Sequence, residues 1–258
     1  MKVLELFSGS RSIGKVADAR GHQVFSVDNV AYPNTNWVGD ILDWDYRLNE
    51  MQSRTLKELY IPDVIWASPP CTDFSVACIG KKWISGHEYK PKNADLLGIQ
   101  ILNKTIRIIQ FYLEKNPNLI WYIENPRGKM RKSPIFSKID HRRETITYCQ
   151  YTSGDELPRM KPTDIWTNDF GWTPRVMCKN GDPCHVSAPR GSQSGTQGLK
   201  GNHERSKIPT DLCKVIIESA EEEQGLNSNY PQEYTCCGDE VVDWVEDYRV
   251  CPTCKEHI

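Results

Sequence analysis

The sequence predicts an α/β fold, a sheet covered by helices on both faces, on three observations. Strand-like and helix-like segments alternate along the first 220 residues. The chain opens with a strand, a glycine-containing turn and a helix, over residues 2–20. Residues 119–123 form an almost wholly apolar run, which is typical of a strand buried on both faces. The 258 residues suffice for one such domain and a small accessory one.

The first strands favour a ligand-binding turn. Strand one covers residues 2–7, and the turn at Gly9 precedes a helix, an arrangement that brings backbone N–H groups close to a ligand. Strand two, residues 23–27, ends at Asp28, where βαβ units place the acid that binds ribose hydroxyls. Asp40 follows a third short apolar segment and is a candidate to bind the edge of an adenine. For both acids, an ordinary turn or helix cap is the alternative interpretation.

A thiol follows the fourth predicted strand, residues 63–67. Pro69 and Pro70 cannot continue a sheet ladder, so the chain must turn there and present Cys71 at the carboxyl edge of the sheet. Open α/β sheets bind their ligands at that edge. A cysteine followed by the polar loop 72–92 therefore suits a nucleophile, and a buried structural cysteine is the equal alternative.

The next strand delivers a carboxylate. Residues 46–60 and 95–114 predict helices, and the apolar strand 119–123 ends at Glu124. Because neighbouring parallel strands end at one edge of a sheet, we expect Cys71 and Glu124 to lie close together.

The later segments are less regular. Residues 145–151 and 163–167 predict a pair of strands, and the loop between them contains Arg159 and Lys161. The chain then loses its periodicity until a helix predicted over residues 210–220.

Charge is unevenly distributed along the chain. The net charge of -2 gives no global indication of a nucleic-acid partner. Seven basic residues and one acid nevertheless lie within residues 127–143, which favours binding of a polyanion, although a solvated charged face is the more common origin. The seven are Arg127, Lys129, Arg131, Lys132, Lys138, Arg142 and Arg143.

The cysteines predict a reducing compartment and metal binding. No apolar stretch reaches the roughly 18 residues of a membrane span and no signal peptide is apparent, so we expect a cytoplasmic protein without a membrane partner.

Four tail cysteines resemble a zinc ribbon in which one half is irregular. His257 is a substitute ligand, and unliganded thiols are the alternative interpretation. A second group, Cys178, Cys184 and His185, lacks a clear fourth ligand. If the tail binds a structural Zn²⁺, the expected ligands are Cys236, Cys237, Cys251 and Cys254.

Together the glycine turn, the thiol and the acid resemble the C5-cytosine-specific DNA methyltransferase family, most closely its compact, phage-like members. Residues 6–9 match the cofactor loop, Pro70 and Cys71 match the nucleophile motif, and Glu124 and Asn125 match the acid motif. The resemblance implies a Rossmann-like sheet that binds S-adenosyl-L-methionine and double-stranded DNA. It also implies a monomer, in a bacterial cell or a phage-infected host, that serves DNA methylation, for example in restriction-modification.

The same resemblance implies residue roles. Cys71 would add to C6 of a flipped cytosine and Glu124 would hydrogen-bond or protonate N3, so that C5 accepts a methyl group. Arg159 and Lys161 would help to hold the flipped base. The cofactor would contact Phe7, Ser8, Gly9, Ser10, Asp28, Asn29, Asp40, Ile41 and Pro69.

The resemblance also divides the chain. Residues 1–171 would be the catalytic domain, 172–207 a small target-recognition region, 208–220 a helix returning to the catalytic domain, and 230–258 the zinc-binding tail. The DNA contacts would be Arg127, Arg131, Arg190, Gln193, Gln197 and Lys200.

Three features depart from the family pattern, and other functions stay open. Arg11 stands where family members usually have a second glycine, and Pro126 follows the acid motif where a valine is common. Ser206 and Lys207 lie where an asparagine is expected, near the start of the helix that returns to the catalytic domain. An RNA cytosine-5 methyltransferase would use the same thiol and acid. A catalytically silent DNA-binding homologue would keep only the fold.

Overall fold

The computed structural model contains seven strands in one mixed sheet. They are β1 (Lys2–Leu6), β2 (Gln23–Asp28), β3 (Trp37–Val38), β4 (Val64–Ala67), β5 (Ile120–Pro126), β6 (Arg142–Thr147) and β7 (Pro162–Thr167). Their order across the sheet is β3-β2-β1-β4-β5-β7-β6. The first five strands pair in parallel, and β7 runs antiparallel to both of its neighbours. The predicted α/β fold is therefore confirmed.

Helices cover both faces of this sheet, as the apolar strands predict. They are α1 (Ser12–Ala19), α2 (Leu97–Lys115), α3 (Asn202–Ser206) and α4 (Thr210–Glu223). Successive residues of a strand point to opposite faces. Leu4 accordingly packs in the core beneath α2, whereas Val3 packs in the core formed by α1 and α4.

The strand order reverses between β1 and β4. From β1 the chain continues outward to β2 and β3, and it then returns to form β4 and β5 on the other side. In open α/β sheets the crevice outside the carboxyl ends of the strands at such a reversal is the ligand site. The turn after β1 and the turn that carries Cys71 after β4 flank this crevice.

Three elements differ from the sequence prediction by three or more residues at one or both ends. The expected strand 145–151 is shifted, because β6 ends at Thr147 and a 3-10 turn, Tyr148–Tyr151, follows it. The first residues of this edge strand are charged, which conceals the alternation of apolar and polar residues by which a strand is predicted. β5 extends through Pro126 because β7 continues to pair with it there. α4 continues three residues past the expected end at residue 220.

The structure describes residues 1–47, 60–86, 89–186, 202–226, 243–245 and 248–250. The chain divides into two compact units, Met1–Ala220 and Glu221–Ile258. In the second unit, β8 (Asp243–Val245) pairs antiparallel with β9 (Tyr248–Val250). Within the described ranges, no helix has the length and apolar character needed to cross a membrane.

Several predicted features lie outside these ranges. They are the interior of the predicted helix 46–60, the tail residues Cys236, Cys237, Cys251, Cys254 and His257, and the predicted base contacts Arg190, Gln193, Gln197 and Lys200.

Candidate active site

The thiol and the carboxylate predicted from the sequence meet at one edge of the sheet. The last parallel pair between β4 and β5 joins Ala67 and Ile123, so Glu124 lies one residue beyond it. Half-buried Cys71 begins a 3-10 turn after the two prolines. The Asn125 side-chain amide donates a hydrogen bond of 2.8 Å to the Pro69 carbonyl and ties the two strand ends together. The two strand ends are adjacent, and the charge of Glu124 raises the pKa of Cys71.

Glu124 is buried among two polar partners. The Tyr148 hydroxyl donates to Glu124 Oε1 over 2.8 Å, and the Lys161 ammonium lies 3.7 Å from the same oxygen. Lys161 Nζ also lies 4.5 Å from the centre of the Tyr148 ring. Burial, and then the charge of Glu124, raises the pKa of Tyr148 well above its usual range, so this hydroxyl remains a donor. Tyr148 lies inside a predicted strand and matches no motif, which is why the sequence analysis missed it.

Arg159 links the site to the chain before α4. Its guanidinium donates to the carbonyl of Arg205 over 3.2 Å and to that of Lys207 over 3.0 Å. It also lies 5.7 Å from the centre of the Tyr148 ring. This buried side chain therefore holds the segment before α4 against the site, whereas Lys161 faces the carboxylate. Contact of either residue with a bound base stays a prediction.

The pKa of the Cys71 thiol is set by burial and by two neighbouring charged residues. Burial raises the pKa of its thiol, Lys161 lowers it, and Glu124 raises it, so that the pKa ends above its ordinary value. A thiol is nucleophilic as its thiolate. Lys161 is the cation that favours the thiolate here, and its own pKa is lowered by burial and raised by Glu124.

The loop after Cys71 is anchored to the start of α2. Buried Asp73 accepts a hydrogen bond of 2.7 Å from the Gly98 N–H and forms an ion pair with Lys82. The indole N–H of buried Trp83 donates to the Asp73 carbonyl over 2.5 Å. Gly98 is required by this close approach, because an added Cβ would lie 2.8 Å from the Asp73 Cβ. The loop thus closes on α2 through Asp73.

The turn after β1 offers a second set of polar groups. Phe7 and Gly9 adopt left-handed backbone conformations, with φ of 59° and 46°. The Gly9 N–H donates to Asp28 Oδ2 over 2.8 Å, so the acid at the end of β2 fixes the turn. The Ser8 hydroxyl is buried and has no hydrogen-bond partner. A buried hydroxyl without a partner is costly, so a water molecule or a bound ligand is needed to complete its hydrogen bonding.

Arg11 takes the position of the missing glycine without changing the turn. Its φ of 54° is left-handed, which glycine adopts readily and arginine rarely. Its Nε donates to the Ser26 hydroxyl over 2.9 Å, and its guanidinium lies 3.0 Å from Asp18. These contacts hold the side chain beneath the turn.

Glu5 is a further buried acid beneath this turn that sequence analysis missed. It accepts a hydrogen bond of 3.2 Å from the Ile13 N–H at the start of α1. Burial raises the pKa of Glu5 to about 7, against the lowering effect of the Gly14 N–H and the Arg11 charge. Glu5 lies within the apolar strand β1. Because acids are rarely buried in such a strand, the sequence gave no indication that Glu5 would be buried.

Two substitutions at Arg11 separate the effect of its backbone conformation from that of its side-chain contacts. Alanine and glycine both remove the contacts with Ser26 and Asp18, but only alanine keeps a Cβ at the left-handed φ. We expect Arg11→Ala to have a free energy of unfolding about 1 kcal/mol below that of Arg11→Gly in urea denaturation. Equal values for the two variants would contradict a left-handed turn.

The remaining predicted cofactor residues occupy different environments. Asp40 and Asn29 are exposed, and Asp40 Oδ1 accepts a hydrogen bond of 2.9 Å from the Leu42 N–H in a turn. Ile41 is buried in the hydrophobic core, whereas Ser10 is half-buried and lies 2.9 Å from the Ser12 hydroxyl. Their contacts with a cofactor stay predictions.

The two described candidates for DNA contact differ sharply. Arg127 is exposed just after β5. The Arg131 guanidinium instead forms an ion pair with fully buried Asp164 and a 3.2 Å hydrogen bond to the Thr145 hydroxyl. Its charge is already neutralised, which favours a structural role for Arg131 over a phosphate contact.

Comparison with known proteins supports the resemblance. The chain is 27% identical over 237 residues to the "Probable DNA (cytosine-5)-methyltransferase" of frog virus 3 (isolate Goorha), and the alignment covers 84% of this chain and 99% of the viral protein. The resemblance to C5-cytosine DNA methyltransferases is therefore confirmed over most of the chain. No protein-family model matches.

The similarity to solved structures is weaker. A DNMT2 mutant from Spodoptera frugiperda matches with a TM-score of 0.43 and 18% identity, covering 70% of this chain and 57% of its own. The methyltransferase EhMeth of Entamoeba histolytica matches with a TM-score of 0.44 and 12% identity, covering 69% of this chain and 57% of its own. The chain thus spans little more than half the length of these two structures.

Proposed function

We propose that this chain is a DNA (cytosine-5)-methyltransferase that transfers a methyl group from S-adenosyl-L-methionine to C5 of a cytosine flipped out of a duplex. One observation carries the proposal: the Cys71 thiol lies beside a buried carboxylate, Glu124, that is held by Tyr148 and Lys161. The viral relative supports the same activity through its name.

The crevice between β1 and β4 fits the cofactor. The partnerless Ser8 hydroxyl and the Gly9 turn, fixed by Asp28, provide polar groups on one side of the crevice, and Pro69 lies on the other. Asp28 accepts N–H groups from Gly9 and Val30, and its carboxylate retains lone pairs for ribose hydroxyls. When bound, S-adenosyl-L-methionine supplies an electrophilic methyl group.

The residues of the chain would then carry the covalent chemistry. The Cys71 thiolate would form a bond to C6 of the base, while Glu124 would hydrogen-bond or protonate N3, so that C5 becomes the carbon nucleophile. After the methyl group has joined C5, with S-adenosyl-L-homocysteine as the leaving group, N3 would return its proton to Glu124 and a base would remove the C5 proton. Those electrons restore the C5–C6 double bond as the S–C6 bond breaks, and Cys71 is released as the thiolate.

Access to the base would require flipping, because the target atom is stacked within the duplex. We assign phosphate contacts to Arg127 and its exposed neighbours, and sequence recognition to residues 172–207. With so short a region we expect a short target site.

Transfer of labelled methyl groups tests the proposal. The purified chain is incubated with labelled S-adenosyl-L-methionine and either unmethylated genomic DNA or total RNA. We expect label in the DNA, released on digestion as 5-methylcytosine. Label in RNA alone would favour the RNA methyltransferase. No label, together with no adduct on a 5-fluorocytosine duplex, would indicate a catalytically silent homologue.

A further inference from the structure

Three cysteines and a histidine from two distant segments converge on one point. Cys149 lies in the turn that follows β6, whereas Cys178, Cys184 and His185 lie in the irregular segment after β7. Their ligand atoms all lie within 4.8 Å of one another. Cys149 is therefore the fourth ligand that the sequence alone did not reveal.

Three of the four following distances match the edges of a tetrahedral metal site, and the separation of Cys149 and Cys178 is shorter than such an edge. The Cys149 sulfur lies 3.1 Å from that of Cys178 and 3.7 Å from that of Cys184. His185 Nδ1 lies 3.8 Å from the Cys178 sulfur and 3.5 Å from the Cys184 sulfur. Zinc bonds of about 2.3 Å to sulfur and about 2.0 Å to nitrogen give tetrahedral edges of roughly 3.5 to 3.8 Å. A disulfide would need about 2.05 Å between sulfurs.

The surroundings suit a soft metal ion. Cys149, Cys178 and His185 are buried, and Cys184 is half-buried. The cluster contains no carboxylate, and thiolate with imidazole is the ligand set that selects zinc over magnesium or calcium. The Cys149 N–H donates to the Arg159 carbonyl over 2.8 Å, and the Cys178 N–H donates to the Thr147 hydroxyl over 3.0 Å. These bonds fix two of the ligands in advance.

We propose that Cys149, Cys178, Cys184 and His185 bind one structural Zn²⁺ ion, through three thiolates and the Nδ1 atom of the imidazole. Four protein ligands fill a tetrahedral coordination sphere, so this ion would have no open position for catalysis. Binding would release the protons of the three thiols to solvent.

The proposed ion would connect the recognition segment to the active site. Cys149 directly follows Tyr148, whose hydroxyl binds Glu124. The other three ligands lie at the start of residues 172–207, in a stretch without helix or strand. The metal would thus fasten this stretch to the turn that positions Tyr148.

Zinc content tests the proposal in the full chain. Elemental analysis is made of the purified wild-type protein, of Cys178→Ser and Cys184→Ser, and of Cys213→Ala, a buried cysteine on α4 outside the cluster. We expect each serine variant to contain one zinc per chain fewer than wild type, and Cys213→Ala to match wild type. The difference in zinc content between variant and wild type decides the outcome, because the sequence also predicts a zinc site among the tail cysteines. Unchanged zinc in the serine variants would overturn the proposal.

A second measurement covers the case in which the serine variants do not fold. Wild-type protein and a Cys251→Ser/Cys254→Ser variant are loaded with Co²⁺, which reports tetrahedral thiolate ligation by visible absorption. We expect the thiolate–cobalt band in both proteins. Its absence from the tail variant would overturn the assignment, as would a disulfide between Cys149 and Cys178 in protein purified without oxygen.

Discussion

A Cys71→Ala variant is expected to lose methyl transfer by roughly 10⁴-fold or more, the scale of loss when a covalent nucleophile is removed. Duplex binding should change little, because phosphate contacts supply most of the affinity and lie elsewhere on the surface. The thiol begins the turn after β4 and contributes no buried packing comparable to that of the fully buried Phe74. Methyl incorporation and duplex affinity, measured on the same preparation, test both parts.

The neighbouring thiol of Cys78 provides the internal control for this result. It lies in the same loop and donates to the Thr72 carbonyl over 2.7 Å. A 5-fluorocytosine duplex should trap wild-type protein as a covalent adduct, and peptide mapping should locate that adduct on Cys71. An adduct on Cys78, or wild-type turnover in Cys71→Ala, would show that the nucleophile has been assigned incorrectly.

The sequence was sufficient to predict the meeting of Cys71 and Glu124. Each follows a short apolar run that must be buried, and two prolines after the first run mark the turn that leads to Cys71. Neighbouring parallel strands then bring the two side chains to one edge. The sequence contains no comparable local pattern for the residues that contact this pair. Tyr148 reaches Glu124 from the 3-10 turn after β6, and no local pattern shows which residue of such a turn will face the site.

Long-range contacts also explain the other differences. Arg131 belongs to a basic run that predicts phosphate contacts, yet its charge is paired with Asp164, which lies 33 residues away on β7. Cys149 joins Cys178 across 29 residues, so the fourth metal ligand has no motif spacing. Arg11 keeps a left-handed turn where the family pattern has glycine, because Ser26 and Asp18 hold its side chain. Each outcome depends on a partner that only the folded sheet supplies.

The second large effect is expected from removing the cation beside the nucleophile. Lys161 lowers the pKa of Cys71, so Lys161→Met should raise that pKa further. The pH of half-maximal adduct formation with a 5-fluorocytosine duplex should then move upward. Below the raised pKa, each pH unit of this movement lowers the thiolate population tenfold. Lys161→Arg keeps the charge and should stay close to the wild-type profile.

Glu124→Gln should move the same profile in the opposite direction. The charge of Glu124 raises the pKa of Cys71, so its removal lowers that pKa and makes the thiolate more abundant at neutral pH. Methyl transfer should nevertheless fall by about 10² to 10⁴-fold, because the base loses its proton donor at N3. The two variants are expected to move the pH of half-maximal adduct formation in opposite directions only if Lys161 and Glu124 act on the same thiol. Displacement in one direction for both variants, with unchanged thermal unfolding midpoints, would contradict the proposed electrostatic control of Cys71.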